Sequence, residues 1–156
     1  MRLYSYFILL LAGLFVVSCS KDETIVDPNT QFEIDKQKIR TYLIENNLKA
    51  DSTPEGVYYI IDFTHDSLTK HPTASSTVKV DYKGYLLNGK VFETNYNQTF
   101  SLADVIDGWK IGIPKFKEGE RGRLFIPSKL AYGSQSTSSI PANSPLIFEV
   151  NLIKVH

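Results

Sequence analysis

The pattern between residues 78 and 92 leaves this chain few folds to choose from. Val78, Val80 and Tyr82 alternate with Lys79, Asp81 and Lys83, the period of a strand with one buried face and one wet face. The alternation runs into Tyr85-Leu86-Leu87, then Asn88-Gly89, then Val91-Phe92. Asn-Gly between two apolar runs predicts a two-residue hairpin turn, because both turn positions need φ > 0 and these residues tolerate it. Further strands are predicted over 57–61, 124–126 and 146–155, with short helical pieces near 107–113 and 128–131. Strands interrupted by one or two brief helices predict an α+β fold with an antiparallel sheet.

The N-terminal third reads differently. Arg2 precedes an apolar run, Phe7 to Val17, of 11 residues, too short for a hydrocarbon core that needs about 20. The run ends at Val16-Val17-Ser18-Cys19, which holds the only cysteine and so excludes an intrachain disulfide. Together these features resemble a bacterial lipoprotein signal. That resemblance implies cleavage before Cys19, lipid on Cys19, and a protein tethered to a membrane outside the cytoplasm, on the periplasmic face or the surface of an outer membrane. Ser20-Lys21-Asp22-Glu23 is either a solvated linker or similar to the surface-export tract of Bacteroidetes lipoproteins. Residues 1–18 are therefore expected to be signal and 19–30 a flexible tether. Phe32, Ile39, Tyr42, Leu43 and Leu48 approximate helical spacing, which predicts a helical extension within 31–53, ended by Asn46-Asn47 and Pro54. Its apolar stripe would pack on the domain or pair with a second copy as a dimer arm, packing at home being the favoured use. Residues 54–156 form the remaining domain.

Several function classes are disfavoured. The 17 basic and 17 acidic residues balance without a basic block, so there is no electrostatic footprint for nucleic acid. His65, His71 and His156 follow no ligand spacing, and the glycines form no phosphate loop; neither a metal nor a cofactor is expected. Gly108, Gly112, Gly119, Gly122 and Gly133 read as turn glycines. Asp81, Glu93, Asp104 and Asp107 contain no pair spaced for acid–base work. Ser101 ahead of Leu102-Ala103-Asp104 reads as a capping box with Asp for Glu.

What remains is apolar. The only tryptophan lies in Val105-Ile106-Asp107-Gly108-Trp109, in the company of Tyr82, Phe92, Phe100, Tyr132 and Phe148. Read in order, Val80-Asp81-Tyr82-Lys83-Gly84-Tyr85, Asn88 to Glu93, Phe100-Ser101-Leu102, the Trp109 pentapeptide, Gly119-Glu120, Ala131-Tyr132-Gly133 and Ile140-Pro141 through Phe148-Glu149-Val150 resemble the FK506-binding protein family of peptidyl-prolyl cis-trans isomerases, over about residues 56–155. The resemblance implies a bent antiparallel sheet of five or six strands wrapped around a short helix over 107–113. Trp109 would be the floor of a pocket between helix and sheet. Tyr82, Phe92 and Phe148 would be its walls, with Val105 and Ile106 as flanking aliphatics. The Ile106 N–H and the Tyr132 hydroxyl would bond ligand carbonyls, and Ile140 would stand at the rim. Glu93 occupies the place of a pocket-lining Asp and Gln98 that of a wall aromatic in some members. The loop over 134–139 is polar and lacks the histidine and glycines seen in some members.

The activity so implied is peptidyl-prolyl isomerisation in exported proteins, with proline-containing polypeptides as substrates and FK506- or rapamycin-type compounds as ligands. The alternative is a weakly catalytic or non-catalytic proline-peptide clamp, such as a chaperone or an assembly lipoprotein of a surface or gliding machinery.

Overall fold

The computed structural model describes residues 27–64, 67 and 69–156. The signal, Cys19 and most of the tether expected from the sequence lie outside these residues, as does His65. Among the described residues no helix is long and apolar enough to cross a membrane.

Six strands form one antiparallel sheet: β1 (Asp51–Ser52), β2 (Tyr58–Phe63), β3 (Thr77–Leu86), β4 (Val91–Ser101), β5 (Arg121–Ile126) and β6 (Leu146–Val155), in the order β1-β2-β5-β6-β3-β4. Helix α1 (Pro28–Glu45) precedes the sheet, and α2 (Asp107–Gly112) lies between β4 and β5. The α+β expectation holds. So does the strand alternation: β3 buries Val78, Val80, Tyr82, Gly84 and Leu86, while the residues between them stay half-exposed.

Because successive side chains point to opposite faces, the sheet carries two cores. On the inner face Val80, Tyr82, Leu124, Ile126, Phe148, Val150 and Leu152 pack with Trp109 and Phe116. On the outer face Phe125 and Ile147 meet Ile39 and Leu43 of α1, flanked by Tyr42, Tyr58, Ile60 and Tyr85. The stripe of α1 is thus spent on its own domain. Each fully buried Leu, Ile or Phe contributes on the order of 1.5–3 kcal/mol.

Three local expectations are corrected. First, α1 begins at Pro28, inside the segment read as tether. Asp27 caps it, its carboxylate accepting the N–H groups of Asn29 and Thr30 at 3.1 Å each, and Pro at the first helical position costs no hydrogen bond. At the other end Asp51 and Ser52 leave the helical extension and pair with Tyr59 and Tyr58 as a sheet edge.

Second, the hairpin after β3 is not a two-residue turn. Only Gly89 has positive φ (+83°). Gly89 N–H donates to Leu86 O at 2.9 Å, and Leu86 N–H to Lys90 O at 3.0 Å. This is a type I turn closed by a left-handed glycine, the three-residue hairpin form. Asn88 contributes through its side chain, whose Oδ1 accepts Lys90 N–H at 3.0 Å.

Third, Gly108 is a close-approach position. A Cβ there would lie 2.3 Å from Ile126 Cγ2, so the missing side chain lets α2 seat directly on β5.

Candidate functional site

Trp109 enters the inner core because α2 is only six residues long and presses its glycine side against β5. The indole is 4% exposed. Three rings meet it nearly perpendicularly: Tyr82 at 5.1 Å and 85°, Phe148 at 5.3 Å and 85°, and Phe100 at 5.8 Å and 88° between centroids. Edge-to-face pairs of this kind contribute roughly 0.5–1.5 kcal/mol each beyond their buried area, so the floor is rigid. Its Nε1–H is buried without a conventional acceptor; an aromatic-lined cage is one of the few surroundings where such a donor is tolerated.

Above Trp109 lies a cavity of about 220 Å³ lined by Tyr82, Glu93, Phe100, Asp104, Val105, Ile106, Trp109, Tyr132 and Phe148. Seven of the nine site residues expected from the sequence meet there: Tyr82, Glu93, Val105, Ile106, Trp109, Tyr132 and Phe148. Phe92 stands one layer back, edge-on to Phe148 at 5.6 Å and 84°. It reaches that position because Gly84 leaves room; a Cβ there would lie 2.4 Å from Phe92 Cζ. Ile140 is buried in the inner core, where its N–H donates to Thr137 Oγ1 at 3.0 Å and its carbonyl accepts Thr137 N–H at 2.8 Å, closing the polar loop on itself.

Asp104 and Asn95 belong to the site although the sequence did not mark them, and Phe100, marked only as company for Trp109, lines the cavity itself. Two irregularities in the β3–β4 pairing explain why. Tyr85 pairs with Val91 and Gly84 with Glu93, so Phe92 is an extra residue. Tyr82 then pairs with Asn95 but Val80 with Gln98, so Tyr96 and Asn97 together oppose Asp81. Asn97 sits at φ +53°, its N–H donating to Asp81 Oδ1 at 2.8 Å. A bulge of this kind reverses the alternation. Odd-numbered Glu93 lines the cavity before it, with Asn95 bonded to it on the same face, and even-numbered Phe100 lines it after. The capping box holds in part, Ser101 accepting the Ala103 N–H at 3.3 Å, while Asp104 lines the cavity.

The polar groups are few and organised. Asn95 Nδ2 donates to Tyr82 OH at 2.8 Å and to Glu93 Oε1 at 2.9 Å. Burial pushes the Tyr82 phenol up to about 12, with the Asn95 contact opposing and the neighbouring Glu93 adding to the rise. Burial, then the charge of Glu93, also raises Tyr132. Both hydroxyls therefore remain protonated donors through the physiological range. Tyr132 is 40% exposed and stands at the entrance. Ile106 precedes α2 with extended backbone, its carbonyl accepting Trp109 N–H at 2.9 Å. A cavity with aromatic walls and hydroxyl and amide donors at its mouth can hold an apolar ring and orient the carbonyls beside it.

A larger cavity, about 400 Å³, opens on the opposite side, among Asp81, Lys83, Arg121, Glu149 and Asn151, with Phe63 and Tyr96 at its edges. Asp62 holds Arg123 at 2.6 Å and Asp81 accepts from Asn151 at 3.1 Å, while Lys83 and Arg121 lie over the rings of Tyr85 and Phe63. Unlike the smaller cavity, its lining does not include the Trp109 indole.

A family model described as FKBP-type peptidyl-prolyl cis-trans isomerase matches residues 69–153. The FKBP-type peptidyl-prolyl cis-trans isomerase FkpA of Escherichia coli (strain K12) is 43% identical over 115 residues, covering 71% of this chain and 41% of that protein. FkpA of Aeromonas hydrophila is 36% identical over 126 residues, covering 77% and 46%. The crystal structure of E. coli FkpA superposes with a TM-score of 0.67 at 30% identity, over 82% of this chain and 62% of that one. A peptidyl-prolyl cis-trans isomerase from Pseudomonas syringae pv. tomato DC3000 gives a TM-score of 0.67 at 30% identity, over 85% and 98%. The chain spans less than half the length of the curated relatives it matches.

Proposed function

Because the chain belongs to the FKBP-type peptidyl-prolyl cis-trans isomerase family, we propose that it accelerates cis–trans exchange of X-Pro bonds in the Trp109 cavity. The observation that carries this reading is the set of perpendicular rings around a single buried indole, opening into about 220 Å³ of mostly apolar space.

Rotation about a peptide bond must break its resonance, at a barrier of about 18–20 kcal/mol. The two isomers of an X-Pro bond are nearly balanced, so exchange needs no energy input. A twisted amide loses its charge separation and is less polar than either planar form. A dry aromatic cavity therefore favours it over the ground states, which is the differential that catalysis requires. Proline seats on Trp109 between Tyr82 and Phe148. The Tyr132 hydroxyl and the Ile106 N–H orient the flanking carbonyls, and neither gives up its proton. Glu93 takes the family's carboxylate position and, through Asn95, holds the Tyr82 hydroxyl.

The segment with Arg2, the apolar run to Val17 and Cys19 supports export, a lipid anchor and substrates outside the cytoplasm, where uncatalysed isomerisation takes tens of seconds or longer. Purified protein assayed on a proline peptide should exceed the uncatalysed rate clearly at micromolar enzyme, and an FK506-type macrolide should inhibit it. A rate equal to the uncatalysed one overturns the reading. Proline-peptide binding without acceleration would favour the clamp instead, a reading that the acidic rim formed by Glu93 and Asp104 and the polar loop over 134–139 support.

A further inference from the structure

We propose that Asp35, on α1, is a positioning residue for the isomerase pocket: it fixes Ser128, and Ser128 fixes Tyr132. The proposal rests on the isomerase reading above and adds to it a helix outside the family-matched segment 69–153.

The chain of contacts is short. Asp35 is fully buried, 0% exposed. Its Oδ2 accepts the Ser128 N–H at 2.8 Å and also the Ser128 hydroxyl. Its Oδ1 accepts Gln31 Nε2 at 2.7 Å, with Lys38 Nζ at 4.0 Å. Ser128 is buried as well, and its carbonyl accepts two N–H groups at 2.8 Å each, from Ala131 and Gly133. These are the two neighbours of Tyr132. The entrance tyrosine is thus an exposed residue between two pinned amides, both referred to a carboxylate on another element. A second tie runs beside the first: Lys129 Nζ donates to Asn29 Oδ1 at 2.8 Å and lies 5.6 Å over the Phe32 ring.

A carboxylate is a costly way to attach a helix. Burying one requires several hydrogen bonds to offset desolvation, and Ile39 and Leu43 already anchor α1 by apolar contact. Direction is what the carboxylate adds. An apolar contact leaves the Ser128 turn free to slide, whereas two convergent bonds to one oxygen set its orientation and hence the aim of the Tyr132 hydroxyl. Positioning errors near 1 Å are costly in a site that works by orientation.

The test is a double-mutant cycle in the purified full chain, with folding verified by circular dichroism at the assay temperature. Asp35→Ala and Tyr132→Phe should each lower kcat/KM about tenfold, and the double variant should lose about tenfold also, because both remove one function. Asp35→Asn keeps an acceptor for Ser128 and should recover part of the loss. If Asp35→Ala does not fold, Asp35→Asn takes its place in the cycle. Leu43→Ala, which loosens α1 away from Ser128, should lower the melting temperature and leave kcat/KM unchanged. Losses that multiply in the double variant, or an Asp35 variant as active as wild type, overturn the proposal. Should wild type itself be inactive, the isomerase reading falls. The same cycle then reads proline-peptide affinity through Trp109 fluorescence, where coupled losses sustain the Asp35 link and additive ones overturn it.

Discussion

Gly108→Ala is the smallest change that should deform the pocket floor. The added methyl would lie 2.3, 2.7 and 3.0 Å from Cγ2, Cδ1 and Cγ1 of Ile126, all inside van der Waals contact. Ile126 is fully buried among the inner-core side chains, so either α2 lifts from β5 or Ile126 is pushed into its neighbours. Overpacking of this kind costs roughly 1–3 kcal/mol. Alanine returns up to about 1 kcal/mol of helix propensity, less here because Gly108 is in the first turn. The net is a destabilisation of about 1–2 kcal/mol. Denaturant unfolding followed by Trp109, the only tryptophan, measures it directly. The decisive comparison adds Ile126→Ala, which removes the three atoms in the way. Alone it should cost about 2–5 kcal/mol by leaving a cavity. Combined with Gly108→Ala it should cost at least about 1 kcal/mol less than the sum, since the new methyl occupies vacated space. A Gly108→Ala protein as stable as wild type, or strict additivity in the double variant, would refute the close-approach argument.

Other expectations follow from the same geometry. The raised Tyr82 favours the folded state's neutral phenol: that contribution is fully present below the ordinary tyrosine value of about 10 and is lost as pH rises through about 12. Stability should therefore show no tyrosine-linked change between about pH 6 and 9 and fall across that alkaline window, as an absorbance titration of phenolate would register; loss of Tyr82 protection near neutrality would contradict it. Asn95→Ala removes the donor to both Tyr82 and Glu93, at about 1 kcal/mol per hydrogen bond; proline-peptide affinity should drop several-fold, and an unchanged affinity would remove Asn95 from the site. Asp62→Asn breaks a partly exposed pair with Arg123 and should cost no more than about 1 kcal/mol, with the isomerisation rate intact. A large loss of rate in that variant would point to the outer cavity instead.

The legible parts of this protein are those governed by local rules. Val78 to Lys83 announced a half-buried strand because alternation is a property of the backbone itself, and β6 runs from Leu146 to Val155 as its apolar pattern requires. Asp27-Pro28 is also a local signal, and α1 starts three residues earlier than its apolar stripe suggests because a cap is polar. Asp35 and Gln31 escaped for a related reason: an amphipathic reading counts apolar side chains, and these are buried polar ones. Gly108 looked like a turn because its reason, the Ile126 side chain, is distant in sequence.

Five of the six strands, the aromatic inventory and the family were legible in the chain alone. Those depend on residue type and spacing. Which of those residues share a cavity depends on how distant segments pack. The bulges at Phe92 and at Tyr96-Asn97 change which parity of β4 faces inward, and they arise from pairing with β3. Glu93, Asn95 and Phe100 come together through that pairing, and the Ser128 turn before Tyr132 is tied to Asp35 on α1, 93 residues away in sequence. Such contacts come from packing between distant segments, which no local rule of the chain can express.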